Sequence, residues 1–328
     1  VVAHSAGILD IKTNILPNAD ALFLTAIDPY GHELWRWTFP VNKLNQANEV
    51  LSPLSNKVTS TETENELTVK AKNHTFIFSK KDGQLKGVSV NNHKISFANG
   101  PRFIGARRAD RSLDQFYNHD DEKAKEKDRT YSEFPDAAVF TKLDVKEDGG
   151  NLIVTANYKL GNLDKAQWTI NPSGEAVLDY TYNFSGVVDL MGVYFDYPED
   201  RVISKRWLGA GPYRVWQNRI HGTQYDVWEN DYNDPIPGET FTYPEFKGYF
   251  GSVSWMNIRT KEGTISLTNE TPDAYIGVYQ PRDGRDRLLY TLPESGISVL
   301  NVIPPVRNKV NSTDLCLSLI HISEPTRH

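Results

Sequence analysis

The residues best suited to chemistry lie between Arg206 and Arg219, where the chain reads Arg-Trp-Leu-Gly-Ala-Gly-Pro-Tyr-Arg-Val-Trp-Gln-Asn-Arg. Two glycines and a proline give a tight turn that exposes backbone, and aromatics and arginines stand around it. Tyr225, Trp228 and Tyr232 follow, then Tyr243-Pro244-Glu245-Phe246-Lys247-Gly248-Tyr249. A sugar has apolar C–H faces and polar rims. Flat aromatic faces with Asn, Asp, Glu and Arg nearby suit both. Roughly half of these aromatics are expected to fill a β core instead.

Other constellations are weaker. Glu229, Asp231, Glu239 and Glu245 lie close to the aromatic cluster, and a carboxylate pair at the right separation can hydrolyse a glycoside. Sequence gives no separation, and surface or hydrogen-bonding acids are the favoured reading. Asp231, Asn233 and Asp234 lack the 12-residue calcium-loop pattern and read as an Asx-rich turn. His221 is the only histidine near the motif, a thin basis for acid–base work at a sugar anomeric carbon. Phosphate loop, dinucleotide fingerprint and nucleophile elbow are absent from the sequence. Gly209 and Gly211 do not open a helix after a strand, so they are no nucleotide signal.

The elements that must position these residues are strands. Leu67, Val69 and Ala71 alternate with polar residues, Phe76 and Phe78 follow, and Asp82-Gly83 is a hairpin turn signal. Leu85, Val88 and Val90 precede an Asn91-Asn92 turn, then Ile95 and Phe97. Leu152, Val154, Ala156, Tyr158 and Leu160 keep period 2, as do Trp168 and Ile170. After Pro172-Ser173-Gly174, the residues Ala176, Leu178, Tyr180, Tyr182 and Phe184 resume it. Such segments at short spacing predict a large antiparallel β protein. Helical periodicity is scarce. His119–Tyr131 is nearly all charge without an apolar stripe and reads as a solvated loop or short surface helix.

Length and charge set the bounds. The chain has 328 residues, 39% hydrophobic and 11% aromatic, with net charge −6. That is enough to bury a core and excludes collagen-like or disordered chains. It argues against nucleic acid or an anionic membrane as the main partner. A single Cys excludes an intrachain disulfide framework and a thiolate zinc cluster. The sequence begins at Val1 without a leader pattern, so its start is expected to be internal to a longer protein. At the other end, Leu317-Ser318-Leu319-Ile320-His321-Ile322-Ser323-Glu324-Pro325-Thr326-Arg327 matches the in-frame translation of a transposase-type sequencing adaptor. Residues 316–328 are therefore expected to be non-native, and His321 is set aside from any site.

Trp207-Leu208-Gly209-Ala210-Gly211-Pro212, followed by Trp216-Gln217-Asn218-Arg219, is similar to the W-x-G-x-G-P-x-x-x-Y-x-D-R signature in the C-terminal domain of family 2 glycoside hydrolases of the β-galactosidase type. Trp216 stands for the aromatic, Asn218 for the acid and Arg219 for the arginine. Phe76–Arg102 resembles the opening of that domain, through Lys81-Asp82-Gly83, Asn91-Asn92 and Gly100-Pro101-Arg102. Leu34-Trp35-Arg36-Trp37-Thr38-Phe39-Pro40 resembles the last strand of the immunoglobulin-like domain before it. Two departures stand out: the late segment Gly296–Val310 has no Trp, and Ile104–Asp110 replaces the family's W-R-A-P-T-D-N-D.

The resemblance implies an all-β fold: a galactose-mutarotase-like supersandwich at 57–315, preceded by the end of an immunoglobulin-like sandwich at 1–41 and a linker at 42–56. It implies a non-catalytic C-terminal fragment of a retaining, exo-acting hydrolase, bracing a catalytic TIM barrel of the same polypeptide and shaping one rim of the sugar pocket. Trp216, Asn218, Arg219 and Trp228 are the rim candidates, and no catalytic residue or metal ligand is assigned. The rival readings are a stand-alone carbohydrate-binding module and an aldose-1-epimerase-like enzyme. The expected partner is a galactoside or related glycan, with homo-oligomerisation left open. No cofactor is expected in this chain, and a divalent or monovalent cation is left to the parent enzyme. Near-absence of Cys suits cytoplasm or periplasm, so localisation stays open between a periplasmic or secreted enzyme and a cytoplasmic one.

Overall fold

A computed structural model describes residues 6–8, 19–41, 57–108, 131–134, 136–230, 248–271, 273–278 and 296–305. Contacts divide the chain into a small unit, Val1–Val50, and a large one, Leu51–His328. The charged stretch from His119, the 42–56 segment, Asp231–Glu245 and the adaptor-like tail lie outside the described residues.

The small unit is a hairpin of β1 (Ala21–Ile27) and β2 (Glu33–Pro40). Its turn is held by Asp28, whose Oδ1 accepts from the Tyr30 and His32 amides, both at 2.8 Å. Leu22, Leu24 and Ala26 lie opposite Phe39, Trp37 and Trp35, which puts all six on one face.

The large unit is all-β, built of antiparallel sheets. Its strands are β3 (Thr59–Glu62), β4 (Glu66–Ala71), β5 (His74–Ser79), β6 (Leu85–Val90), β7 (His93–Ile95), β8 (Ala98–Arg108), β9 (Tyr131–Glu133), β10 (Val139–Asp148), β11 (Asn151–Lys159), β12 (Leu163–Ile170), β13 (Ala176–Tyr182) and β14 (Leu190–Asp196). After a single 3-10 turn, Glu199–Arg201, come β15 (Val202–Gly211), β16 (Gln224–Asn230), β17 (Trp255–Thr260), β18 (Gly263–Thr268), β19 (Tyr275–Val278) and β20 (Ile297–Val302). One sheet of ten strands runs β19-β20-β14-β8-β6-β5-β4-β3, with β7 on β6 and β9 on β8. Two four-stranded sheets, β10-β11-β12-β13 and β16-β15-β17-β18, accompany it.

The period-2 segments form these strands because alternate side chains face one core. Along β11, Leu152, Val154 and Ala156 are buried, while the residues between them are only partly so. Leu152 and Val154 meet Leu67, Val69, Phe76 and Phe78 of the large sheet, with Trp168 and Ile170 beside them. A second cluster joins Trp207, Met256 and Ile258 to Ile276, Val278 and Ile297. Each four-stranded sheet thus packs on the ten-stranded one through its own core, as in a sandwich. The Asn91-Asn92 turn signal is met by φ of 51° and 65°, the left-handed pair that a tight two-residue hairpin needs.

Candidate functional site

Strand β15 carries the Trp-Leu-Gly-Ala-Gly-Pro motif between β16 and β17. Trp207 is 1% exposed, its indole N–H donates to the Ala210 carbonyl at 3.0 Å, and its ring meets Phe250 edge-on at 4.9 Å. The two glycines answer to two close approaches. A Cβ on Gly209 would stand 3.0 Å from the Ser252 carbonyl and the Val253 Cα. A Cβ on Gly211 would run into the Trp228 ring, which lies across that position from β16. Trp228 is half-buried, and its Nε1–H is shared between the Gly209 and Gln224 carbonyls at 3.2 and 3.1 Å. The spacing of the motif therefore makes room for backbone on one side and an indole on the other.

Past Gly211 the chain leaves the strand through a cis Gly211–Pro212 bond and folds into a compact turn. Val215 exchanges both backbone hydrogen bonds with Tyr249, at 2.7 and 2.9 Å. The Gln217 amide donates to the Pro304 carbonyl at 3.2 Å, and the Arg219 amide to the Trp216 carbonyl at 2.8 Å. Beneath the turn, Trp216 is 2% exposed, edge-on to Tyr249 at 5.7 Å, in a cluster with Ile104, Ala106, Leu190 and Leu300. Burial raises the Tyr249 phenol far above its ordinary value, so it stays neutral.

Of the four sequence candidates, Trp216, Asn218 and Arg219 come together in this turn. Arg219 is exposed and Asn218 half-buried at the tip, while Trp216 is the anchor under them. Trp228 belongs to the other cluster, with Trp207. Arg214, half-buried, sets its guanidinium carbon 5.0 Å from the Phe250 centroid, and the buried Lys205 sets its ammonium 5.8 Å from the same ring. Glu229 and His221 are exposed. Asp231, Tyr232, Asn233, Asp234, Glu239 and Glu245 lie outside the described residues.

Sequence reasoning missed a cavity of about 520 Å³ between β8, the Lys81–Gln84 turn and the β10–β11 hairpin. Tyr158 carried a signal only as one more apolar position in a period-2 run, and Arg102 only as part of a Gly-Pro-Arg string. Here the Tyr158 hydroxyl donates to the Asp82 carbonyl at 3.0 Å, and burial pushes that phenol up. Burial would also raise the Asp82 carboxyl, but the Lys86 ammonium at 2.8 Å and the Gln84 amide outweigh it and hold it low. Glu262 is likewise held low: the Ser96, Tyr197 and Arg201 donors overcome its burial. Among the described residues no cluster of three His, Cys, Asp or Glu side chains is arranged to hold a metal. No helix there is long and apolar enough to cross a membrane.

The family model for the β-galactosidase small chain matches residues 70–301, more than two thirds of the chain, including the turn and both strands that flank it. No curated protein matches the chain.

Proposed function

The chain belongs to the β-galactosidase small-chain family, and on that footing we propose that it is the non-catalytic C-terminal part of a retaining, exo-acting glycosidase that removes terminal β-galactoside-like residues. In this reading the large unit is a mutarotase-type supersandwich that braces a catalytic barrel of the same polypeptide. The hairpin at the start is the end of an immunoglobulin-like sandwich. Asn218 and Arg219 form part of the rim of the sugar pocket, with Trp216 anchoring the backbone that carries them and Trp228 bonded to the strands beside it.

The observation that supports this most is the turn itself. Its base is bonded to Tyr249 and Pro304 and anchored by a buried indole, while Arg219 at its tip is exposed. That is how a binding loop is held still at low entropic cost. Retaining hydrolysis also needs one carboxyl kept protonated near neutral pH, close to a second carboxylate. Asp82 and Glu262 are held below their ordinary values by the donors around them, so neither suits the part of the protonated acid.

The test is kinetic. In the parent enzyme, Asn218→Ala with Arg219→Ala is expected to raise KM for a galactoside while kcat stays within a few-fold. That is the signature of lost ground-state binding. A large loss of kcat at unchanged KM would refute a rim role.

A further inference from the structure

We propose that the cavity beside Arg102 and Tyr158 is a second saccharide site, built for a neutral mono- or disaccharide. The proposal goes beyond the rim reading and does not rest on it: none of Trp216, Asn218, Arg219 or Trp228 lines this cavity.

Its volume of about 520 Å³ lies within the roughly 300–1,000 Å³ of small-molecule sites. One wall is aromatic and fixed. Phe140 and Tyr158, neighbours across the β10–β11 pair, stand edge-on at 6.0 Å, and the Tyr158 hydroxyl is tied to the Asp82 carbonyl. Both rings belong to the lining, and an aromatic face can meet the C–H side of a pyranose. Arg102, also in the lining, has its guanidinium carbon 4.3 Å from the Tyr194 ring centroid and pairs with Asp196. That geometry holds the guanidinium in place within the lining.

The remaining polar groups are prearranged in the same way. Asp136 takes the Ala138 and Asn162 amides on Oδ1, at 3.1 and 3.2 Å, which fixes the carboxylate and leaves Oδ2 outside those bonds. Gln84 accepts from Lys86 through Oε1, which leaves its amide N–H groups to donate. The ionisable lining is Lys81 and Arg102 against Asp82 and Asp136, a net charge of zero. A phosphate, a uronate or a polyanion gains nothing from such a lining, and the charged rim is poorly suited to a hydrocarbon. Donors and acceptors interleaved with aromatic faces match a neutral polyol ring.

The experiment titrates galactose, lactose and galacturonate into the 328-residue chain, read by saturation-transfer NMR and calorimetry. The expected result is saturable binding of galactose or lactose, weakened at least tenfold in a Lys81→Ala, Gln84→Ala double variant whose melting temperature is unchanged. Lys81 is exposed, Gln84 is half-buried and neither belongs to an apolar core cluster, so the fold is expected to survive their loss. Asn218→Ala with Arg219→Ala separates the two places: loss of binding there assigns it to the turn and overturns the proposal. Absence of saturable binding, full binding in the cavity variant, or tighter binding of galacturonate than of galactose overturns it as well.

Discussion

Replacing Glu262 with Gln keeps the shape of a side chain on which four donors converge and removes its charge. The Ser96 amide and the Tyr197 hydroxyl donate to Oε2, both at 3.0 Å, while the Ser96 hydroxyl, at 2.8 Å, and Arg201 donate to Oε1. These donors come from the β7–β8 connection, the end of β14 and the 3-10 turn, so one carboxylate in the β17–β18 turn joins three other segments. An amide can offer its oxygen to only one of the two pairs. On that side two charge-assisted bonds become neutral ones, a loss of about 1 kcal/mol each. On the other side the serine hydroxyl can rotate to accept, whereas Arg201 loses its ion pair. Its side chain is 42% exposed, so water screens that loss to at most about 1 kcal/mol. The expected destabilisation at neutral pH is roughly 2–3 kcal/mol, or about 5–10 °C in melting temperature for a domain of this size.

The pH dependence makes the test sharper. Glu262 is held below its ordinary value of 4.5 in the folded protein. The native state therefore releases this proton more readily than the unfolded chain. The stability it contributes is complete above pH ~4.5 and is lost as pH falls through the lower native value. Urea unfolding followed by tryptophan fluorescence, for wild type and Glu262→Gln, should show the full gap near pH ~7 and a shrinking gap toward pH ~3. Coincident transitions at neutral pH, or a gap of constant size through the acid range, would refute the reasoning.

Gly211→Ala places a methyl against the Trp228 ring and is expected to cost about 1–3 kcal/mol, with a red shift in tryptophan emission as the indole is displaced; unchanged stability and spectrum would count against the packing role. By contrast, Arg219→Ala at the exposed turn tip should leave thermal stability within about 0.5 kcal/mol of wild type, measured by calorimetry. The apolar hairpin face exposes Trp35 at 49% and Trp37 at 44%, and a lone two-stranded hairpin is marginal in water. Trp35→Lys with Trp37→Lys is therefore expected to reduce concentration-dependent association of the isolated chain in sedimentation velocity.

The strands were legible because one face of each is buried, which writes period 2 into the sequence. Leu152, Val154 and Ala156 in β11 and the asparagine pair at 91–92 show this directly. The motif glycines were legible as a tight turn, but their partners were not. Gly209 faces the Ser252 and Val253 backbone and Gly211 faces an indole on the next strand, and neither neighbour follows from spacing along β15. Positions 212–219 have no period, so spacing does not say which aromatic anchors the turn, and Trp216 in the core and Arg219 in water become clear only in the fold. The cavity was hidden for a related reason. Arg102, Tyr158 and Asp136 come from three separate stretches, and only sheet packing brings them to one place.

The central claim, that this chain carries structure and binding while the bond-breaking carboxylates lie elsewhere in a parent glycosidase, is tested most directly by incubating the purified chain with a nitrophenyl β-galactoside. The expected result is release of nitrophenolate indistinguishable from the protein-free blank across pH ~4–8, with the fold verified by circular dichroism. Release that scales with protein concentration and saturates with substrate would place a catalytic pair within these 328 residues and contradict the claim.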